Sequence, residues 1–313
     1  MRALVVESGK ATIRDVPPPV AGKDESLVKV RLAGICGTDL EILQGYAGFE
    51  GILGHEFVGT VMGGPPEWTG KRVVAEINCV CGRCAMCHSG LSNHCRRRTV
   101  LGITGRPGVF AEYVAVPTRN CLEVPDSISD EEAVFIEPLA AAFQIIRQVK
   151  IEPRMSVAVL GTGRLGLLVA QVLARTGCRL IAVGRNPKTL AFLDRKRIRT
   201  AAVADLTQFN DQDMVVDCTG SPDGLPLALR LVRPRGKIIL KTTGKGGAAV
   251  DLTPVVVDEI TILGSRCGSF GDALAALAQK QIEIASLITR RMPLADGPKA
   301  LELAADPEQI KIL

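Results

Sequence analysis

Short runs of alternating apolar and polar residues fill the first third of the chain. They recur at 2–6, 27–32, 57–62, 72–77 and 110–116, between breaks rich in Gly, Pro and Asp, and predict strands joined by turns. A helical stretch follows at about 130–149, where Asp130, Glu131 and Glu132 supply the acids that favour a first turn. From 155 the texture changes. Apolar blocks at Val157–Leu160, Leu180–Val183, Met214–Asp217, Lys237–Leu240 and Thr261–Gly264 predict strands. Helical segments, including 164–176 and 224–233, lie between them, which is the pattern of a parallel sheet. Helices near 270–282 and 296–304 and a strand-like Ile310–Leu313 complete the reading, with no internal repeat or charged tail.

Composition narrows the function classes. At 313 residues, with 47% hydrophobic and 23% charged residues, the chain reads as an ordinary globular protein of two domains. The net charge of +5 is modest and its bases are scattered, and aromatic residues are only 4%, so no nucleic-acid partner is expected. Arg96-Arg97-Arg98 and Arg195-Lys196-Arg197 read as solvated faces. The longest apolar stretch, Leu165 to Ala174, contains Gly166 and Gln171 and is too short for a bilayer, so no membrane partner is expected either. Met1 leads straight into Ala3-Leu4-Val5-Val6 without a charged leader, and a cytoplasmic location is expected.

Cysteine changes the picture most. Of ten cysteines, five lie between positions 79 and 95, a clustering that points to metal and not to a disulfide framework. Cys81, Cys84, Cys87 and Cys95 have the spacing to close a tetrahedral zinc site within one lobe, about 79–97. Four protein ligands leave no open position, so this zinc is structural. Cys79, His88 and His94 read as bystanders. A second group, Cys36 with Thr38, and His55 with Glu56, could make an open zinc site with an exchangeable position. Only three histidines occur in the chain, and His55 is the one outside the cysteine-rich lobe.

Gly161, Gly163 and Gly166 follow the apolar block Val157–Leu160, and Arg164 and Leu165 open the next helix, the setting of a dinucleotide fingerprint. The glycines allow pyrophosphate to approach the helix N-terminus. At the end of the second strand an NAD enzyme usually carries an acid. This chain has Gly184, Arg185, Asn186, Pro187 and Lys188 there. Gly184 makes room and Arg185 offers a planar fork to a phosphate, so NADP is expected over NAD. If Arg185 and Lys188 are merely exposed loop bases, the choice stays open.

Together these segments resemble the zinc-dependent medium-chain dehydrogenases, the superfamily of alcohol, polyol, threonine and glucose dehydrogenases. The resemblance rests on Cys36-Gly37-Thr38-Asp39, Gly54-His55-Glu56, the four-cysteine lobe, Glu137-Pro138-Leu139-Ala140, the glycine fingerprint and Asp217-Cys218-Thr219-Gly220. It implies a GroES-like β-barrel catalytic domain at 1–138 and 266–313, and a Rossmann doubly wound domain at 139–265. It implies two zinc ions per subunit, a catalytic set of Cys36, His55 and Glu56, and Glu137 as a further ligand or water-bridged neighbour. Thr38 then touches the substrate oxygen, Thr219 lies at the cofactor, and Lys311 reaches the pyrophosphate. Other alcohol dehydrogenases often place a relay His five residues after the catalytic Cys. Here Glu41 stands there, as in some glucose dehydrogenases, which leans the reading toward polyols or sugars. The resemblance also implies a homodimer or homotetramer. The expected activity is hydride transfer between the nicotinamide and a secondary alcohol, polyol or sugar. The alternatives are a non-catalytic NADP-binding protein on the same fold and a zinc-free quinone or enoyl reductase, which a metal assay separates.

Overall fold

Two segments far apart in sequence, Met1–Glu137 and Phe270–Leu313, build one compact unit, and the stretch between them, Pro138–Ser269, builds another. The computed structural model describes residues 1–241, 243 and 249–313.

In the first unit a five-stranded antiparallel sheet runs in the order Tyr113–Pro117, Glu25–Gly34, Glu56–Gly63, Arg72–Ala75, Cys121–Glu123. Val28 pairs with Val61, and both point into the core, while Lys29 points out. Each such valine contributes about 1.5–3 kcal/mol through burial. A smaller sheet joins Arg2–Glu7 to Lys10–Asp15 and Gly51–Ile52. The strand expected at 110–116 begins only at Tyr113. Just before it, Gly108, Val109 and Phe110 donate their N–H groups to the carbonyls of Ile52, Gly54 and Leu53. A Cβ on Gly108 would lie 2.3 Å from the Leu53 carbonyl oxygen, so only glycine permits this close approach. The contact pins the segment that leads into His55.

The single helix expected at 130–149 is two helices, Asp130–Val134 and Ile136–Gln148. Ser129 and Glu132 form a capping box on the first. Pro138 lacks the N–H that would bond the Val134 carbonyl and can sit only in a first turn, so the helix must restart at Ile136.

The second unit is a six-stranded parallel sheet ordered Arg199–Ala202, Arg179–Gly184, Ser156–Leu160, Gln212–Asp217, Val232–Leu240, Thr261–Gly264. The order reverses direction at Ser156–Leu160, which sets the ligand crevice at the carboxyl end of that strand. Val157, Ala158, Val159 and Leu160 are all buried, as parallel strands covered on both faces require. Ala158, Leu160, Ile181, Val183, Val215 and Ile238 belong to one core cluster. No helix among the described residues is long and apolar enough to cross a membrane.

One ion pair ties strand starts in this unit. Asp213 accepts the Ser156 N–H at 2.7 Å and the Arg233 Nε–H at 2.8 Å. Burial pushes its carboxyl up, but the Ser156 N–H and Arg233 outweigh burial and hold it below the usual range. Its contribution is therefore full above the unfolded-state pKa and fades as pH falls through the lower folded value. Asp213→Asn is expected to cost about 1–3 kcal/mol at pH 7. The difference from wild type should shrink below about pH 4 in chemical denaturation. A gap independent of pH would exclude this account.

Candidate metal centres and dinucleotide loop

Cys36 immediately precedes the helix Gly37–Leu43, and its N–H is accepted by the Asp39 carboxylate at 2.8 Å. His55 and Glu56 begin the neighbouring strand region, where Gly54 adopts a φ of 93°. A Cβ on Gly54 would lie 2.6 Å from the Phe110 ring, so glycine is required twice over. The result is a trio, with His55 and Glu56 buried and Cys36 half-buried, in which ligand atoms of Cys36, His55 and Glu56 lie within 4.8 Å of one another. The Thr38 hydroxyl lies 3.8 Å from the Cys36 sulfur.

The electrostatics of the trio suit a cation. Burial by itself would hold the Cys36 thiol up, but His55 and Lys311 outweigh it and bring the thiol below its ordinary value. Burial by itself would drive the imidazole down, but Asp39 and Cys36 hold His55 well above its ordinary value. A thiol whose proton is loosened beside an imidazole that draws protons is a pair from which a divalent cation displaces the proton. One thiolate, one imidazole and one carboxylate are three protein ligands, the number that leaves a fourth position open on zinc.

Asp39 was not singled out from the sequence, yet it is completely buried and stands 3.4 Å from His55 Nδ1. Neither that oxygen nor Nδ1 has a hydrogen-bond partner, so the pair meets by charge without closing a bond. This carboxylate orients the ring and leaves Nε2 for a metal. The signal was present in Cys36-Gly37-Thr38-Asp39, where the fourth residue falls in the first helical turn.

Glu137 stands outside the trio, half-buried in the first turn of Ile136–Gln148. Glu41 lies one turn beyond Thr38 on the same helix. Burial raises its carboxyl pKa, and Oε2 is buried without a hydrogen-bond partner.

Lys311, expected at a pyrophosphate, is buried in the first unit with its ammonium against the Glu56 carboxylate. It also donates to the Ile35 carbonyl at 3.2 Å and lies 5.5 Å from the Phe135 ring centroid. Burial lowers its pKa to about 8. Gly34 makes this possible, because a Cβ there would fall 2.7 Å from the Lys311 stem. Within this unit the lysine serves Glu56.

The second cluster is local. Cys81, Cys84, Cys87 and Cys95 all bring their sulfurs within 4.8 Å of one another. The Cys84–Cys87, Cys84–Cys95 and Cys95–Cys81 separations are 3.6, 3.7 and 3.6 Å. A tetrahedron with Zn–S of about 2.3 Å has edges of about 3.8 Å, so the four sulfurs fit zinc. Cys79 stands apart, its sulfur accepting from Asn120 Nδ2, and His88 and His94 are exposed.

In the second unit Gly161 has φ 91°, and a Cβ on Gly166 would fall 1.8 Å from the Gly161 carbonyl oxygen. Gly163 caps the helix Arg164–Ala174 and is exposed, so its N-terminal amides are open to an anion. Arg164 and Leu165, the first two residues of that helix, are half-buried. Thr219, expected at the cofactor, spends its N–H and hydroxyl on the Asp217 carboxylate, at 2.9 and 2.7 Å. Arg185 and Lys188 are exposed beyond the strand Arg179–Gly184. The room expected at Gly184 is taken by the Thr162 hydroxyl, which lies 2.1 Å from where a Cβ would be.

The chain matches the family Alcohol dehydrogenase GroES-like domain over residues 22–126 and the family Zinc-binding dehydrogenase over residues 165–281. A sorbitol dehydrogenase of Halalkalibacterium halodurans is 28% identical over 339 residues, covering 100% of this chain and 98% of the relative. Among solved structures, a protein of Sinorhizobium meliloti 1021 bound to NADP superposes with a TM-score of 0.89 at 28% identity, covering 99% of this chain and 98% of that one. An alcohol dehydrogenase of E. coli CFT073 complexed with NADH reaches a TM-score of 0.91 at 26% identity, covering 100% and 98%.

Proposed function

Since this chain belongs to the zinc-dependent medium-chain dehydrogenases and is an alcohol or polyol dehydrogenase using zinc and a nicotinamide cofactor, we propose that it prefers NADP and oxidises a polyhydroxylated secondary alcohol or an aldose. The observation that carries the polyol reading is the carboxylate-rich surrounding of the open site. Glu56 is in the trio, Glu41 lies one turn beyond Thr38, and a carboxylate in the ligand set makes a metal site harder and richer in oxygen. Cys36, His55 and Glu56 would hold the catalytic zinc, with Glu137 as a further or water-bridged ligand. Cys81, Cys84, Cys87 and Cys95 would hold the structural one. When bound, the catalytic zinc lowers the pKa of the substrate hydroxyl, and the nicotinamide accepts the hydride.

The chain's own residues do the rest. Asp39 orients His55, and Lys311 holds the Glu56 carboxylate. Thr38 accepts the substrate proton at its hydroxyl oxygen while passing its own outward, and Glu41 takes that proton toward solvent. Because burial favours the neutral acid at Glu41, its proton is released readily only as pH rises. Glu41→Gln should slow alcohol oxidation by about tenfold to a hundredfold near neutral pH, with the gap from wild type narrowing as pH falls and the wild-type carboxyl itself becomes neutral. An unchanged pH–rate profile would leave Glu41 a half-buried acid with no part in the relay.

NADP preference is supported by Arg185 at a strand end that has no acid. A charge-assisted contact to phosphate is worth about 1.5–3 kcal/mol, or roughly tenfold to over a hundredfold in affinity. Arg185→Ala should weaken NADP binding by that factor and leave NAD nearly unchanged. Titration of both cofactors, followed by a panel of polyols, aldoses and simple alcohols, tests the whole reading. Tighter NAD binding by wild type refutes the cofactor half, and preference for unbranched simple alcohols refutes the substrate half. A homodimer or homotetramer is the assembly we propose, to be read by light scattering.

A further inference from the structure

Gly184 closes the strand Arg179–Gly184, where NAD-binding units carry the acid that takes the ribose hydroxyls. In this chain that position is more than unoccupied by an acid. A Cβ on Gly184 would lie 2.1 Å from Thr162 Oγ1, 2.9 Å from its Cγ2 and 3.0 Å from its Cβ. Separations that short are far inside van der Waals contact, so either Thr162 moves or no side chain fits.

Thr162 is poorly placed to move. It is buried, and its hydroxyl lies 2.8 Å from that of Thr189, also buried. Thr189 donates its own proton to the Asn186 carbonyl at 2.9 Å, so the proton between the two hydroxyls belongs to Thr162. The residue before it is equally fixed. The Gly161 N–H donates to the Val183 carbonyl at 2.8 Å, and the Gly161 carbonyl is packed against Gly166. The threonine pair thus stitches the fingerprint loop to the start of the helix Pro187–Arg195, directly over Gly184.

We propose that Thr162 is a specificity-determining residue, whose hydroxyl, held by Thr189, fills the space over Gly184 and closes the ribose end of the cofactor site to the acid that NAD recognition needs. This rests on the reading that the loop 184–188 receives the ribose end of the cofactor. Cofactor choice is then set by two features that must change together. Removing Arg185 lowers affinity for NADP, but placing an acid at 184 gains NAD only when Thr162 gives way.

The test is a double-mutant cycle on the purified, zinc-loaded protein. NAD and NADP binding are read by calorimetry without substrate, and the thermal midpoint by circular dichroism. Gly184→Asp alone should lower the midpoint and gain less than about twofold in NAD affinity. Adding Thr162→Ala should restore much of the midpoint and bind NAD at least about tenfold more tightly than Gly184→Asp alone. Adding Thr162→Ser should not, because serine keeps the hydroxyl. If Gly184→Asp fails to fold, Gly184→Ala with and without Thr162→Ala reads the same coupling from the midpoint. Equal NAD gain with and without Thr162→Ala, or midpoint effects that simply add, overturns the inference. Wild type binding NAD more tightly than NADP overturns the phosphate reading of the loop instead, and that result is independent of the cycle.

Discussion

Cys81→Ser is expected to lose one of two zinc ions and to lower the thermal midpoint by roughly 10 °C or more. The four sulfurs of the lobe already stand at tetrahedral separations, and a contiguous stretch of the chain supplies them all. In small zinc domains the metal contributes about 10–16 kcal/mol of folding free energy, more than many whole domains possess. The lobe is flanked by the short strands Asn78–Cys79, Thr99–Leu101 and Gly105–Arg106, which pair among themselves, Asn120 Nδ2 donates to the Asn78 carbonyl beside it, and Leu91 is half exposed. With so little apolar burial, the lobe has no substitute for the metal. Metal analysis paired with calorimetry checks this, and a variant that keeps two zinc ions or the wild-type midpoint rules it out.

Cys36→Ser should show the opposite balance. Turnover should fall on the order of a thousandfold, since a Lewis acid contributes several kcal/mol to the chemical step. The other zinc should remain, and the midpoint should move by only a few degrees. Cys36 sits at the head of a helix whose first turn Asp39 still caps, so the local backbone survives loss of the sulfur. If metal content stays at two and activity persists, the trio is not the catalytic centre.

Much of this was readable along the chain, and what was not has identifiable causes. The four-cysteine lobe needs only local spacing, so the sequence predicts it fully. The apolar cores of Ser156–Leu160, Arg179–Gly184 and Gln212–Asp217 stand out, whereas of Val232–Leu240 only Lys237–Leu240 does, because the Val-Arg-Pro-Arg-Gly that opens it has no apolar run. Arg199–Ala202 does not stand out, because Arg-Thr-Ala-Ala shows no apolar block or alternation, and parallel pairing with Arg179–Gly184 makes it a strand. The break at Ile136 follows from Pro138, a residue that periodicity alone passes over. Lys311 was assigned by resemblance to a phosphate, whereas its burial against Glu56 depends on a glycine at position 34. Gly184 was read as open space, and its neighbour in space, Thr162, lies 22 positions away. Each of these depends on what packs against a residue in the folded unit, which local pattern does not carry.

The unit that holds Cys36, His55 and Glu56 is interrupted by Pro138–Ser269, and this orders events during synthesis. Once residue 137 has left the ribosome, at about 5–20 residues per second, roughly 7–27 s pass before Phe270 follows. The cysteine lobe is complete by Cys95 and can take its zinc early in that interval. Cys36, His55 and Glu56 are also present, but Lys311, which anchors Glu56, is not. The inserted unit, being contiguous, can fold in the meantime. The two candidate sites are therefore completed on different schedules: the four sulfurs are all present while the chain is still growing, whereas the Cys36 trio lacks the lysine that holds Glu56 until the segment carrying Lys311 has returned to a scaffold begun more than a hundred residues earlier.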